Sequence, residues 1–149
     1  MKTFLSDSVK TSIAITPAAG AAGTTDITGA TLDTAGFDAT QVVVVFGAIT
    51  SSAATSLKIQ TGDASDMSDA ADLEGKSITI ADTDDSTIAI IDVNHSPERY
   101  LRVYCGRATA NAVVAAAVYQ QYRARFEPIT QHADVAHIEQ HAAAVSGTA

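Results

Sequence analysis

Three apolar runs in the second half of the chain restrict its fold more than any other feature: 86–93 (STIAIIDV), 99–105 (RYLRVYC) and 111–122 (NAVVAAAVYQQY). They are rich in Val, Ile and Tyr, and turn formers separate them. Asn94, His95, Ser96 and Pro97 follow the first, and Gly106, Arg107, Ala108 and Thr109 follow the second. β-Branched and aromatic residues punctuated in this way predict a meander of β-strands.

The rest of the chain fits the same reading. Residues 9–16 read as a first strand, with Pro17 and the glycines of 18–23 forming a flexible loop. Residues 26–32 make a weak strand, and Asp33, Thr34, Ala35 and Gly36 a turn. The strongest strand is 41–49 (QVVVVFGAI), and 55–61 returns with Leu57 and Ile59 alternating against Lys58 and Gln60. A long acidic loop over 62–75 leads to a short strand at 77–80. Eight short strands with polar turns predict an all-β antiparallel β-sandwich, jelly-roll-like, with extended N- and C-terminal arms. The expected organisation is an N-terminal strand and flexible loop over 1–30, the sandwich over 31–127, and a C-terminal arm over 128–149. Within that arm, 134–144 suits either a short amphipathic helix or an extended segment ordered against a neighbour.

Two strands do not sort into one apolar and one polar face. Val42, Val44 and Phe46 oppose Val43, Val45 and Ile49, and 112–119 is also apolar on both sides. A sandwich strand needs only one apolar face. The second face must therefore be covered by a chain terminus or by another subunit, and the expectation is an oligomer.

The 149 residues suffice for one domain with its own core, and their formal net charge of −8 argues against binding nucleic-acid phosphates. Cys105 is the lone cysteine and reads as a small buried apolar residue on a strand. The start resembles a signal peptide only as far as Leu5, and no run approaches the ~20 apolar residues of a membrane span. The expectation is synthesis in the cytoplasm, without membrane contact.

Catalytic and metal chemistry is not legible. His137 and His141 are spaced to share a helix face, but a third ligand is not evident. Asp63, Asp66, Asp69 and Asp72 recur every three residues, whereas calcium loops use alternate positions. There is no G-x-S-x-G, P-loop or G-x-G-x-x-G. The expectation is no enzyme, no cofactor and no metal. Arg99, Arg102, Arg107, Arg123 and Arg125 cluster in the last third, interleaved with Tyr119, Tyr122 and Phe126. Arg and Tyr are favoured at protein interfaces because they bury large areas while still hydrogen-bonding. Arg107 reads as a sheet-surface residue paired with local carboxylates. Val43, Val45, Tyr119, Tyr122, Arg123, Arg125, Phe126 and Ile129 are the candidate partner-binding residues.

Residues 32–37 (LDTAGF), 42–50 (VVVVFGAIT), 57–60 (LKIQ), 99–103 (RYLRV), 111–114 (NAVV) and 119–122 (YQQY) together resemble the head decoration, or capsid cement, proteins of tailed bacteriophages. The resemblance spans about 32–129 and rests on strands and turns, with no catalytic signature. It implies a β-sandwich subunit that assembles as a homotrimer on the outer capsid surface, clamps neighbouring major capsid proteins and is assembled in the host bacterial cytoplasm. Two other readings compete with it: another virion component, of the tail or a head fibre, and a carbohydrate-binding jelly roll. The absence of Trp counts against the second.

Overall fold

The chain forms a 3-10 turn (Leu5–Asp7) and nine strands in a computed structural model that describes residues 4–141. The strands are β1 (Lys10–Ile15), β2 (Ile27–Thr28), β3 (Leu32–Asp33), β4 (Phe37–Ile49), β5 (Ala54–Gly62), β6 (Ala71–Ile80), β7 (Ile88–Asn94), β8 (Tyr100–Ala108) and β9 (Ala112–Ala124). They make two antiparallel sheets packed as a sandwich, the all-β class expected. The first sheet has the order β1-β9-β4-β7. The second has the order β2-β8-β5-β6, with β3 pairing further along β8.

Alternation along each strand builds the core. Val42, Val44 and Phe46 of β4, Ile91 and Val93 of β7, and Val114, Ala117 and Tyr119 of β9 face inward from the first sheet. Leu57 and Ile59 of β5 meet them from the second sheet, with Leu101, Val103 and Cys105 of β8. Side chains on the two inner faces interdigitate and leave the outer faces to be explained separately.

The meander expected from the three apolar runs is corrected. β7 and β9 both flank β4 in the first sheet, while β8 lies in the second sheet, against β5. The intervening turns carry the chain from one sheet to the other. Alternation identifies a strand but does not select its neighbour, because a side-chain period of two is the same in either sheet.

The opposition of Ile49 to Val42 and Val44 is also corrected. Register shifts in the β4–β9 pairing between Val45 and Phe46, and again between Phe46 and Ile49, change the parity of the strand end. Ile49 therefore enters the core, 5 % exposed. An extra residue in one strand swaps the faces of everything beyond it.

Three further differences have local causes. The weak strand over 26–32 is broken into β2 and β3: Gly29 still donates its N–H to the Val103 carbonyl in the register of β2, but Ala30 donates its own to Ala14 of the opposite sheet, and pairing with β8 resumes at Leu32 shifted by one residue. The acidic loop is shorter than expected: 71–75 already belongs to β6, where Asp72 pairs with Lys58 of β5. The glycine-rich stretch 18–23 docks on the body. Gly20 accepts the Val114 N–H, and a Cβ at Gly20 would fall 1.8 Å from the Val114 carbonyl oxygen.

Beyond β9 the chain turns back along its own first strand. Ile129 N–H bonds the Asp7 carbonyl, Gln131 Oε1 accepts the Thr11 N–H at 2.9 Å, and Asp134 Oδ2 accepts the Ile13 N–H at 2.8 Å. Residues 134–141 are not helical. The remainder of the helix considered over 134–144, and the arm's last residues, lie outside the described range.

Candidate functional site

The two outer faces of the sandwich differ sharply in chemistry. On the second sheet, Lys58 donates to Asp72 at 2.7 Å, Gln60 bridges Asp72 and Arg102, and the Tyr104 hydroxyl donates to Asp26. Lys58 Nζ also lies over the Tyr104 ring, 4.7 Å from its centroid. These groups satisfy one another in a solvated lattice. The Lys58 ammonium holds the Asp72 carboxyl below its ordinary range, and the Tyr104 hydroxyl does the same for Asp26 while its own pKa rises.

The first sheet presents an apolar outer face. Register places Ile13 beside Val118, Val118 beside Val43, and Val43 beside Ile90, so one apolar row crosses all four strands. A second row sets Ala116 and Ile88 on either side of Val45. Ile88, Ile90, Ile13 and Val45 are 62 %, 53 %, 40 % and 37 % exposed. Monomers rarely carry contiguous apolar patches beyond a few hundred Å² unless something binds there. Below the apolar rows, Thr11, Gln120, Gln41 and Asp92 form a polar row.

The eight residues expected at a partner surface divide into groups. Val43 and Val45 lie on the apolar face. Tyr122, Arg123, Arg125 and Phe126 gather at the end of the same sheet where β9 runs out. Tyr122 donates to Asp92 at 2.7 Å, Arg123 donates to the neutral amide oxygen of Asn94 at 2.9 Å, and Arg125 reaches Asp38 at 3.4 Å. Phe126 is 88 % exposed. The Asp92 carboxylate raises the Tyr122 pKa by holding its proton. Ile129 is half-buried where the chain turns back.

Tyr119 does not belong with them. It is 1 % exposed, and its hydroxyl accepts the Val103 N–H at 2.9 Å and donates to the Ala30 carbonyl at 2.8 Å. It pairs with core-facing Val42 in the regular part of the β4–β9 ladder, so it points inward, where it ties the two sheets together.

Arg107 is corrected as well. It is 7 % exposed, and its guanidinium donates to the carbonyls of Thr25, Ala21 and Ala112. It falls in the same parity as Leu101, Val103 and Cys105, a signal the sequence carries. Ile88, Ile90, Ile13 and Val118 were also missed. The signal for the first two was the doubled apolar face of 86–93.

No three His, Cys, Asp or Glu side chains converge among the described residues. His132 pairs with Asp134 and His141 with Glu139, so the spacing of His137 and His141 does not bring them to one helix face. In the acidic loop, Asp69 accepts the N–H groups of Asp63 and Ala64, and Asp66 accepts that of Ser68. These carboxylates cap their own backbone. A cleft of about 550 Å³ runs between β1 and β3 past Ser12, Thr31, Asp33, Gln121 and Asp134. Tyr119 and His132 also line it, and the Tyr119 ring is buried. No described helix is long and apolar enough to cross a membrane. No protein-family model matches the chain, and no curated protein matches its sequence significantly.

Proposed function

We propose that this chain is a structural virion protein, a decoration or cement subunit that binds the outer surface of a phage capsid and reinforces contacts between major capsid proteins. The observation that carries the proposal is the asymmetry of the sandwich: one outer sheet face is a satisfied polar lattice, and the other is an apolar stripe across four strands. A subunit lying on a shell needs one face for the shell and one for solvent. The apolar face, with Val43 and Val45 at its centre, is the attachment surface. Arg123, Arg125 and Phe126 at its edge supply charge and apolar area for the rim, in keeping with the polar rim around an apolar centre in protein interfaces.

The strand order supports the reading further. Counting β2 and β3 as one interrupted strand, the sheets run 1-8-3-6 and 2-7-4-5 in chain order. We read that order as jelly-roll-like connectivity, an arrangement common among viral capsid and lectin domains. This support is analogy of fold, not of site. Homotrimerisation stays part of the proposal through the family resemblance alone.

Cryo-electron microscopy of virions carrying this chain tests the reading. The expected result is density for the sandwich on the outside of the shell, with the β4 face toward it. Density confined to the tail or a fibre would overturn the decoration role.

A further inference from the structure

The geometry points to β7 as a strand-pairing edge that joins this chain to a second copy of itself, antiparallel about a two-fold axis at Ile90.

A two-sheet sandwich has four edges, and an unprotected edge invites pairing with another chain. Three edges here are blunted. The N–H groups of Thr11 and Ile13 on β1 are taken by Gln131 and Asp134. The β2 and β3 edge is two separate pairs of residues. β6 carries a register shift between its pairings to Lys58 and Gln60, has Gly75 at φ +69 inside that shift, and bears Asp72 and Glu74.

Among the described residues, β7 has no side-chain cap and no register shift, and Asp92 is its one charged residue. It is seven residues long and contains neither Pro nor Lys. Phe46 donates to Thr87 and His95 donates to Asp38, which fixes the alternation. Residues 89, 91 and 93 turn their backbone groups to β4. Ile88, Ile90, Asp92 and Asn94 turn theirs away from it. Among the described residues, no side chain bonds these outward groups. A cleft of about 220 Å³ between Ser77 and Ile90 leaves β6 apart from this edge.

Symmetry selects the occupant. With Ile90 opposite Ile90 of the second copy, Ile88 faces Asp92 and Asp92 faces Ile88. No like charges meet directly across the seam, and three residue pairs with outward backbone groups exchange hydrogen bonds. The apolar row from Ile13 through Val118 and Val43 to Ile90 then continues unbroken into the partner's row. The self-complementary register is what a two-fold interface requires. A seam of three residue pairs is short beside the ~1,200 Å² of a standard stable interface, so the pairing is proposed as reversible. The contact is independent of the capsid reading, because both sides of it are this chain.

Two experiments test it on the full chain. Ile90→Pro removes an N–H that bonds nothing within the subunit, and edge strands tolerate Pro at such positions. Sedimentation over a concentration series should show wild-type association weakened at least tenfold in Ile90→Pro, with an unchanged far-ultraviolet spectrum. The second experiment needs no loss of structure: Cys105→Ala carrying either Ile90→Cys or Ile13→Cys is oxidised. Ile90→Cys should cross-link to itself several times faster than Ile13→Cys. Equal cross-linking, or association unchanged in folded Ile90→Pro, would overturn the pairing. So would a wild-type chain that stays monomeric at the highest concentration.

Discussion

At the scale of single residues, buried polar groups decide whether this sandwich closes. Arg107 sits on the inner face of β8 and holds three carbonyls from the 16–25 loop and from β9. Arg107→Met keeps most of the volume but strands those acceptors, which costs about 1–3 kcal/mol per unsatisfied site. Thermal melting should fall by several degrees. Arg107→Lys should not restore it, since an ammonium cannot reproduce the planar fork. Cys105 gives a second test. Burial raises its thiol to about 11, so the folded chain disfavours the thiolate that reacts. Its contribution to stability is full below the ordinary thiol range and is lost as pH rises from about 9 toward 11, because only the unfolded chain ionises there. A chromogenic disulfide at pH 8 should label native protein slowly and denatured protein at once; fast native labelling would mean that this end of the core is open.

At the scale of elements, the strands were legible and their partners were not. Leu57, Ile59, Leu101, Val103 and Cys105 alternate so plainly that β5 and β8 could be read from sequence, and each lies within a residue or three of its expected bounds. Which sheet each strand enters depends on long-range pairing, and the local period is silent about it. Ile49 was misplaced because a register shift reverses parity, and a shift leaves no mark in composition; Tyr119 was grouped with Tyr122 by residue type, although a period of two sets them on opposite faces. The segment after Pro128 carries few large apolar side chains, yet Gln131 and Asp134 act as polar caps on an edge strand. Gln131 bonds the Thr11 N–H and the carbonyls of Ser6 and Val9. Gln131→Ala with Asp134→Ala should therefore lower stability by about 2–4 kcal/mol, at ~0.5–1 kcal/mol for each of the four hydrogen bonds lost. It should also raise aggregation by baring the β1 edge. Truncation after Glu127 should do the same and remain folded, since among the described residues the core all precedes it. Denaturant titration and turbidity measure the two effects separately; a truncated chain as stable and soluble as the full one would show that the caps are idle.

At the scale of the whole molecule, neighbouring valines test the two-faced design. Val44 is fully buried between the sheets, and Val45 is 37 % exposed on the apolar outer face. From sequence the two faces of β4 look equivalent, and Asp at either position would be expected to give insoluble or monomeric protein. In the structure they separate. Val44→Asp places a carboxylate among Val42, Phe46 and Leu57 with no partner, and the chain should fail to fold. Val45→Asp meets solvent in the free subunit, so its stability should stay within about 0.5 kcal/mol of wild type, as for most surface substitutions. Its effect falls on attachment, where the new charge would be desolvated against the partner surface. Binding to capsids lacking the protein should weaken at least tenfold for Val45→Asp while the melting temperature holds. Arg123→Ala with Arg125→Ala should instead reduce mainly the salt dependence of binding, as expected of rim charges. Soluble Val45→Asp that binds as tightly as wild type would move the attachment surface off the first sheet. The polar lattice around Lys58 and Arg102 would then be the face to test next.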